Sequence, residues 1–105
     1  MVSQKDLDHL VSRIVDFYQP EMVILFGSYA TGQANEGSDL DLLLVKQTDE
    51  NPVNRAAGIR KELRDLLLPM DILVYTPSEI ANDKERKFTF IYDVLKSGKV
   101  LYATK

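Results

Sequence analysis

Three aspartates and one glycine-serine pair are the residues of this chain equipped for chemistry. Gly27-Ser28 follows the apolar run Val23-Ile24-Leu25-Phe26, Asp39-Leu40-Asp41 heads a second run, Leu42-Leu43-Leu44-Val45, and Asp71 interrupts a third, from Met70 to Tyr75. Aspartate is a poor strand former, and a carboxylate buried without a partner is costly, so acids placed this way call for a cation or a solvated cleft. On an extended strand Asp39 and Asp41 project from one face about 7 Å apart, while Leu40, Leu42 and Leu44 face the core. Two carboxylates at that separation repel by about 2 kcal/mol at an effective dielectric of about 20. Magnesium suits such a site, because it takes oxygen ligands and commonly joins one or two carboxylates to substrate phosphates. Asp39, Asp41 and Asp71 together could hold two ions about 4 Å apart, one acidifying an attacking hydroxyl and the other steadying a triphosphate. Asp71 then serves as a ligand or as the base for the nucleophile. Glycine at position 27 allows close backbone approach, and the turn amides with the Ser28 hydroxyl can bond phosphate oxygens. The chemistry implied is nucleotidyl transfer from a nucleoside triphosphate.

The elements that position these residues are readable from periodicity. Leu7, Leu10, Val11, Ile14, Val15 and Tyr18 recur at helical spacing, with Ser3 to cap and Pro20 to stop, which predicts a helix over 4–18. Residues 22–26 read as a buried strand, 28–38 as a turn with one helical turn, and 39–45 as the next strand. Asn51-Pro52 opens a predicted helix of about four turns, with Ala56, Ile59, Leu63, Leu66 and Leu67 as its apolar stripe up to Pro69. Residues 70–75 are a third strand, and Thr76-Pro77-Ser78-Glu79 has the spacing of a capping box before a short helix. A final helix carries Phe88, Ile91, Tyr92 and Leu95 and ends at Gly98, with a short edge strand over 100–102. The fold class expected is α/β (α+β): a small sheet with helices covering one face.

Composition narrows the function. The 105 residues suit a single domain spanning 1–105, too small for a separate substrate lobe. With 13 basic against 16 acidic residues and a net charge of -3, indiscriminate binding to a nucleic acid is not expected. There are no cysteines, so any metal is expected to use oxygen ligands. No signal peptide precedes the first helix and no apolar stretch approaches the roughly 20 residues of a membrane span, so the expected location is cytoplasmic, without membrane contact.

Gly27-Ser28-Tyr29-Ala30-Thr31-Gly32, Ser38-Asp39-Leu40-Asp41-Leu42-Leu43-Leu44-Val45 and Met70-Asp71-Ile72-Leu73-Val74 resemble the signature of the polymerase-β-type nucleotidyltransferase superfamily, and more narrowly of its minimal nucleotidyltransferases. The C-terminal Val94 to Tyr102 is similar to that group's ending as well. The resemblance implies a small mixed sheet flanked by helices, Gly27 and Ser28 on the triphosphate of ATP, and Asp39, Asp41 and Asp71 on magnesium. It also implies a partner: minimal members are commonly encoded beside a helical HEPN-domain protein, as a toxin and antitoxin pair in which the transferase silences the toxin by adenylylating a tyrosine. Many relatives carry arginine where this chain has Thr31, so the resemblance implies that a cationic contact to phosphate or acceptor is missing here.

Two other functions compete. One is a nucleotide-binding antitoxin that acts by steric cover, with little or no turnover. The other is transfer to a small molecule, which the absence of an extra helical domain disfavours. His9 falls on a polar helix face and reads as solvated. Arg60-Lys61 with Arg64, and Lys84 with Arg86-Lys87, read as solvated faces whose alternative is a contact with phosphate or an acidic partner. Tyr29, Phe88, Phe90 and Tyr92 read as core or interface aromatics, and an oligomer, homomeric or heteromeric, is expected.

Overall fold

The computed structural model describes residues 1–104. Helix α1 spans Gln4–Tyr18 and starts in a reciprocal cap, the Ser3 hydroxyl accepting from the Asp6 amide while the Asp6 carboxylate accepts from the Ser3 amide. Strands β1 (Met22–Phe26) and β2 (Leu40–Val45) flank the expected single helical turn α2 (Ser28–Thr31) and pair antiparallel. Strand β3 (Met70–Tyr75) lies parallel to β2, and β4 (Lys99–Ala103) closes the far edge antiparallel to β1. The sheet order is β3-β2-β1-β4, a mixed sheet whose outer edges are β3 and β4.

Both faces of this sheet are covered, where helices on one face alone were expected. Val23, Leu25, Leu40, Leu42, Leu44, Ile72 and Val74 pack with Leu10 and Ile14 of α1 and with Ile59 of α3 (Ala57–Glu62). The opposite face buries Ile24 and Leu43 under Ile91 and Val94 of α5 (Phe90–Ser97), with Ile80 of α4 (Pro77–Asp83) beside them. The central strands therefore read as unbroken apolar runs, the pattern of strands buried on both sides.

Two helices differ from their predicted extents. The segment 52–69 is a 3-10 turn at Pro52–Asn54, the short α3, and a second 3-10 turn at Arg64–Leu66, in place of one four-turn helix. Gly58 weakens the helix, and Leu67 turns left-handed at φ 54, which takes its side chain out of the core and leaves it 88% exposed. Helix α5 starts at Phe90 on a Thr89 cap, so Phe88 lies outside it at φ 71 and exposed; of the expected stripe Ile91 is buried, and Val94 is buried beside it in place of Tyr92 and Leu95.

The open edge of β3 is closed by side chains. Arg55, buried against this edge, donates to the carbonyls of Val74 (3.3 Å) and Glu50 (3.1 Å) and to Glu79 Oε1 (2.7 Å). Glu79 is also the reciprocal member of the Thr76 capping box that starts α4, as its spacing predicts. Arg55 chiefly, and the Thr76 amide after it, hold the Glu79 carboxyl below its usual range. A depressed carboxylate adds stability above its unfolded pKa and loses it as the pH falls through the folded value. Arg55→Ala is therefore expected to lower the urea-unfolding free energy at pH 7 by about 2 to 3 kcal/mol, since three acceptors lose their donor. The deficit should shrink below pH 4.5, as Glu79 protonates in both variants. A deficit independent of pH would assign the loss to packing alone.

Candidate active site

The carboxylates gather where β1 ends and β2 and β3 begin. Asp41 lies opposite Phe26 in the β1–β2 register and opposite Asp71 in the β2–β3 register. Neighbouring strands lie about 4.8 Å apart, so the two aspartates stand side by side on the face that also carries Leu43 and Leu73. Asp39 comes one residue before β2 begins and is exposed. The parallel pairing of β2 and β3 brings Asp71 beside Asp41, while Asp39 stays outside the ladder.

The electrostatics follow from this placement. Partial burial pushes the Asp41 carboxyl up, and the charges of Asp71 and Asp39 push it further. Asp71 faces a cation instead: Arg60 Nη2 lies 3.4 Å from its Oδ1, both side chains being about half exposed. Among the described residues, no three His, Cys, Asp or Glu side chains are drawn together tightly enough to hold one ion. Asp39 outside the strand and Asp71 turned to Arg60 account for that spread. The donor set nevertheless suits magnesium. It is all oxygen, and Asp41 stands in uncompensated negative surroundings that a divalent cation would relieve.

Gly27 links the turn to the carboxylates. Its backbone sits at φ 73 and ψ -155, a region essentially reserved for glycine. A Cβ built there would collide with Asp41 Oδ2, so a side chain at 27 and the Asp41 carboxylate cannot share this space. The Gly27 carbonyl accepts from Ala30 (3.0 Å) and Thr31 (3.2 Å), while the first α2 amides, of Ser28 and Tyr29, have no intrahelical acceptor. The Ser28 side chain is half-buried at the start of the turn. Thr31 folds its hydroxyl back on α2, 3.4 Å from the carbonyls of Gly27 and Ser28, and it brings no cation to the site.

Other candidates lie elsewhere. His9 is exposed on α1, as its helix face implies. Tyr29 accepts a bond from the Val2 amide (3.1 Å), and Phe90 packs edge-on to Phe26 (5.4 Å) and stacked on Tyr75 (6.1 Å). Arg60, read in the sequence as one of a solvated basic group, is the residue whose place in the site was missed. No local pattern in the sequence marks it, because its contacts to Asp71 and Ile72 join different elements. A groove of about 390 Å³ runs beside it along the outer edge of β3, lined by Val53, Arg55, Tyr75 and Glu79 among others.

Two outcomes follow. A carboxyl whose folded pKa is raised disfavours folding once the pH passes its unfolded value of 3.8, and the whole penalty is present above the raised value. Asp41→Asn should thus melt higher than the wild type at pH 7 by calorimetry, with the gap closing below pH 3.8; a variant that melts lower at pH 7 would contradict this charge balance. Gly27→Ala should cost about 2 to 3 kcal/mol of unfolding free energy in urea, combining a strained backbone with displacement of Asp41.

Comparison with known proteins identifies the family and the fold. A Methanocaldococcus jannaschii protein named "Putative protein adenylyltransferase MJ0604" is 31% identical over 106 residues, covering 97% of this chain and all of that protein. Among solved structures, a chain of a toxin-antitoxin complex with AMP-PNP superposes with a TM-score of 0.60 at 19% identity, over 96% of this chain and 73% of that one. A chain of the tri-AMPylated Shewanella oneidensis HEPN toxin in complex with its MNT antitoxin gives 0.58 at 18% identity, over 96% and 72%. At these identities the structural likeness is one of fold. The family described as "Polymerase beta, Nucleotidyltransferase" matches residues 9–105, and the chain belongs to that nucleotidyltransferase family.

Proposed function

We propose that the protein transfers AMP from magnesium-bound ATP to a hydroxyl of a protein acceptor, a tyrosine of a HEPN-type toxin, and so acts as the antitoxin of a pair. The observation that carries this reading is the Asp41–Asp71 pair at one register position, with Gly27 packed against Asp41. Family membership supports the transferase chemistry. The relative's printed name supports a protein acceptor, and the fold shared with a chain from a complex containing an AMPylated HEPN toxin supports that partner.

In this reading the acceptor oxygen attacks the α-phosphorus in line, the bond from that phosphorus to the β-phosphate oxygen breaks, and pyrophosphate leaves. Asp71, on the outer strand and half exposed, accepts the hydroxyl proton. Asp39 and Asp41, with Asp71, would hold the magnesium ions. When bound, magnesium acidifies the attacking hydroxyl and neutralises triphosphate charge. The Ser28 and Tyr29 amides and the Ser28 hydroxyl orient the phosphates at the Gly27 turn.

The test incubates the protein with ATP labelled at the α-phosphate, magnesium, and a HEPN protein encoded beside it. Label should pass to a tyrosine of that protein, and Asp39→Asn with Asp41→Asn should reduce transfer by at least about 10³-fold. Toxin inhibition that survives the double substitution without label transfer would contradict catalysis and favour steric cover.

A further inference from the structure

Arg60 reaches from α3 across to β3, where its Nη2 donates to the Ile72 carbonyl at 2.8 Å and stands 3.4 Å from Asp71 Oδ1. The shorter contact is to the main chain, so the edge of the strand, not the carboxylate, anchors this guanidinium. Ile72 and Val74 present their carbonyls to the same outer edge of β3, and the two arginines divide them, Arg55 on Val74 and Arg60 on Ile72. Their surroundings differ. Arg55 is buried and paired with Glu79, remote from the aspartates, and its arrangement is accounted for by stability. Arg60 is about half exposed, and an ion pair so exposed contributes little to folding. Among the described residues, Arg60 is the one cation paired with any of Asp39, Asp41 and Asp71.

We propose that Arg60 is a positioning residue for Asp71: anchored on Ile72, it fixes one Asp71 oxygen and offsets part of the negative charge shared with Asp41, leaving the other oxygen to the divalent ion and the acceptor hydroxyl beside it. This rests on the AMP-transfer reading. A fixed charge-assisted bond removes rotational freedom from the carboxylate at the moment of reaction. The same positive charge weakens attraction of the three aspartates for a divalent ion. The two effects act in opposite directions when Arg60 is removed, since the site becomes more negative and less ordered together. No loss of packing produces that combination.

The test measures Arg60→Ala and Arg60→Lys in two ways. Binding of Mn²⁺ alone is followed by calorimetry, and AMP transfer to the HEPN protein by steady-state kinetics. Arg60→Ala should bind Mn²⁺ about threefold tighter while kcat falls about tenfold, with KM for ATP unchanged because the Gly27-Ser28 turn is on the other side of Asp41. Both of its contacts come from one nitrogen, so the lysine ammonium should restore Mn²⁺ affinity and kcat toward the wild type. Unchanged kcat in Arg60→Ala, weaker Mn²⁺ binding, or no rescue by lysine would each overturn the proposal. If the wild type transfers no AMP at all, the functional reading fails by itself, and the Mn²⁺ shift alone decides whether Arg60 governs the charge at Asp71.

Discussion

The pairing of two like charges on adjacent parallel strands is the constraint around which this molecule is organised. Asp41 and Asp71 share one register position of the β2–β3 ladder, so neither can move away from the other without breaking the sheet. Parallel pairing of β2 and β3 requires a crossover, which residues 46–69 supply with α3 and its flanking turns. The same crossover delivers Arg60 and Arg55 to the exposed edge of β3, and there they close the carbonyls that another strand would otherwise take. Fold, edge protection and charge balance thus have a common origin in one connection.

Around the pair the sheet is apolar and buried on both faces, which is what makes the end of the strands distinctive. Leu42, Leu43 and Leu44 are inaccessible to solvent, and the acids begin where that burial ends. Asp41 bears the cost, its carboxyl pushed up by burial and by two neighbours of like charge. Stability forgone at a site is a common sign that the site is used, because a residue of equal shape without charge would fold more easily. Gly27 has the same character, since no other residue fits both its backbone and the adjoining carboxylate.

Much of this was legible in the sequence because the signals were local. A capping serine, helical periodicity, short apolar runs and proline stops place α1 and the strands close to their observed limits, and the capping box at Thr76 is formed as its spacing implies. Parity placed Asp39 and Asp41 opposite the Leu40, Leu42 and Leu44 face, and those leucines are in the core. What was not legible depends on tertiary placement. The stripe of leucines after Pro52 reads as one helix because periodicity does not report Leu67 turning left-handed and out of the core. Covering of the second face depends on α5 folding back over Leu43, and the pairing of Arg60 with Asp71 joins residues of different elements across the sheet edge. Neither leaves a periodic trace in the chain.

The central claim is that Asp39, Asp41 and Asp71 act together on a divalent cation held against a triphosphate. The most direct measurement is anomalous diffraction from crystals grown with Mn²⁺ and a nonhydrolysable ATP analogue. The account predicts an anomalous peak within about 2.2 Å of carboxylate oxygens from both Asp41 and Asp71, with the phosphates against the Gly27-Ser28 turn. An analogue bound elsewhere, or Mn²⁺ density remote from these aspartates, would contradict it.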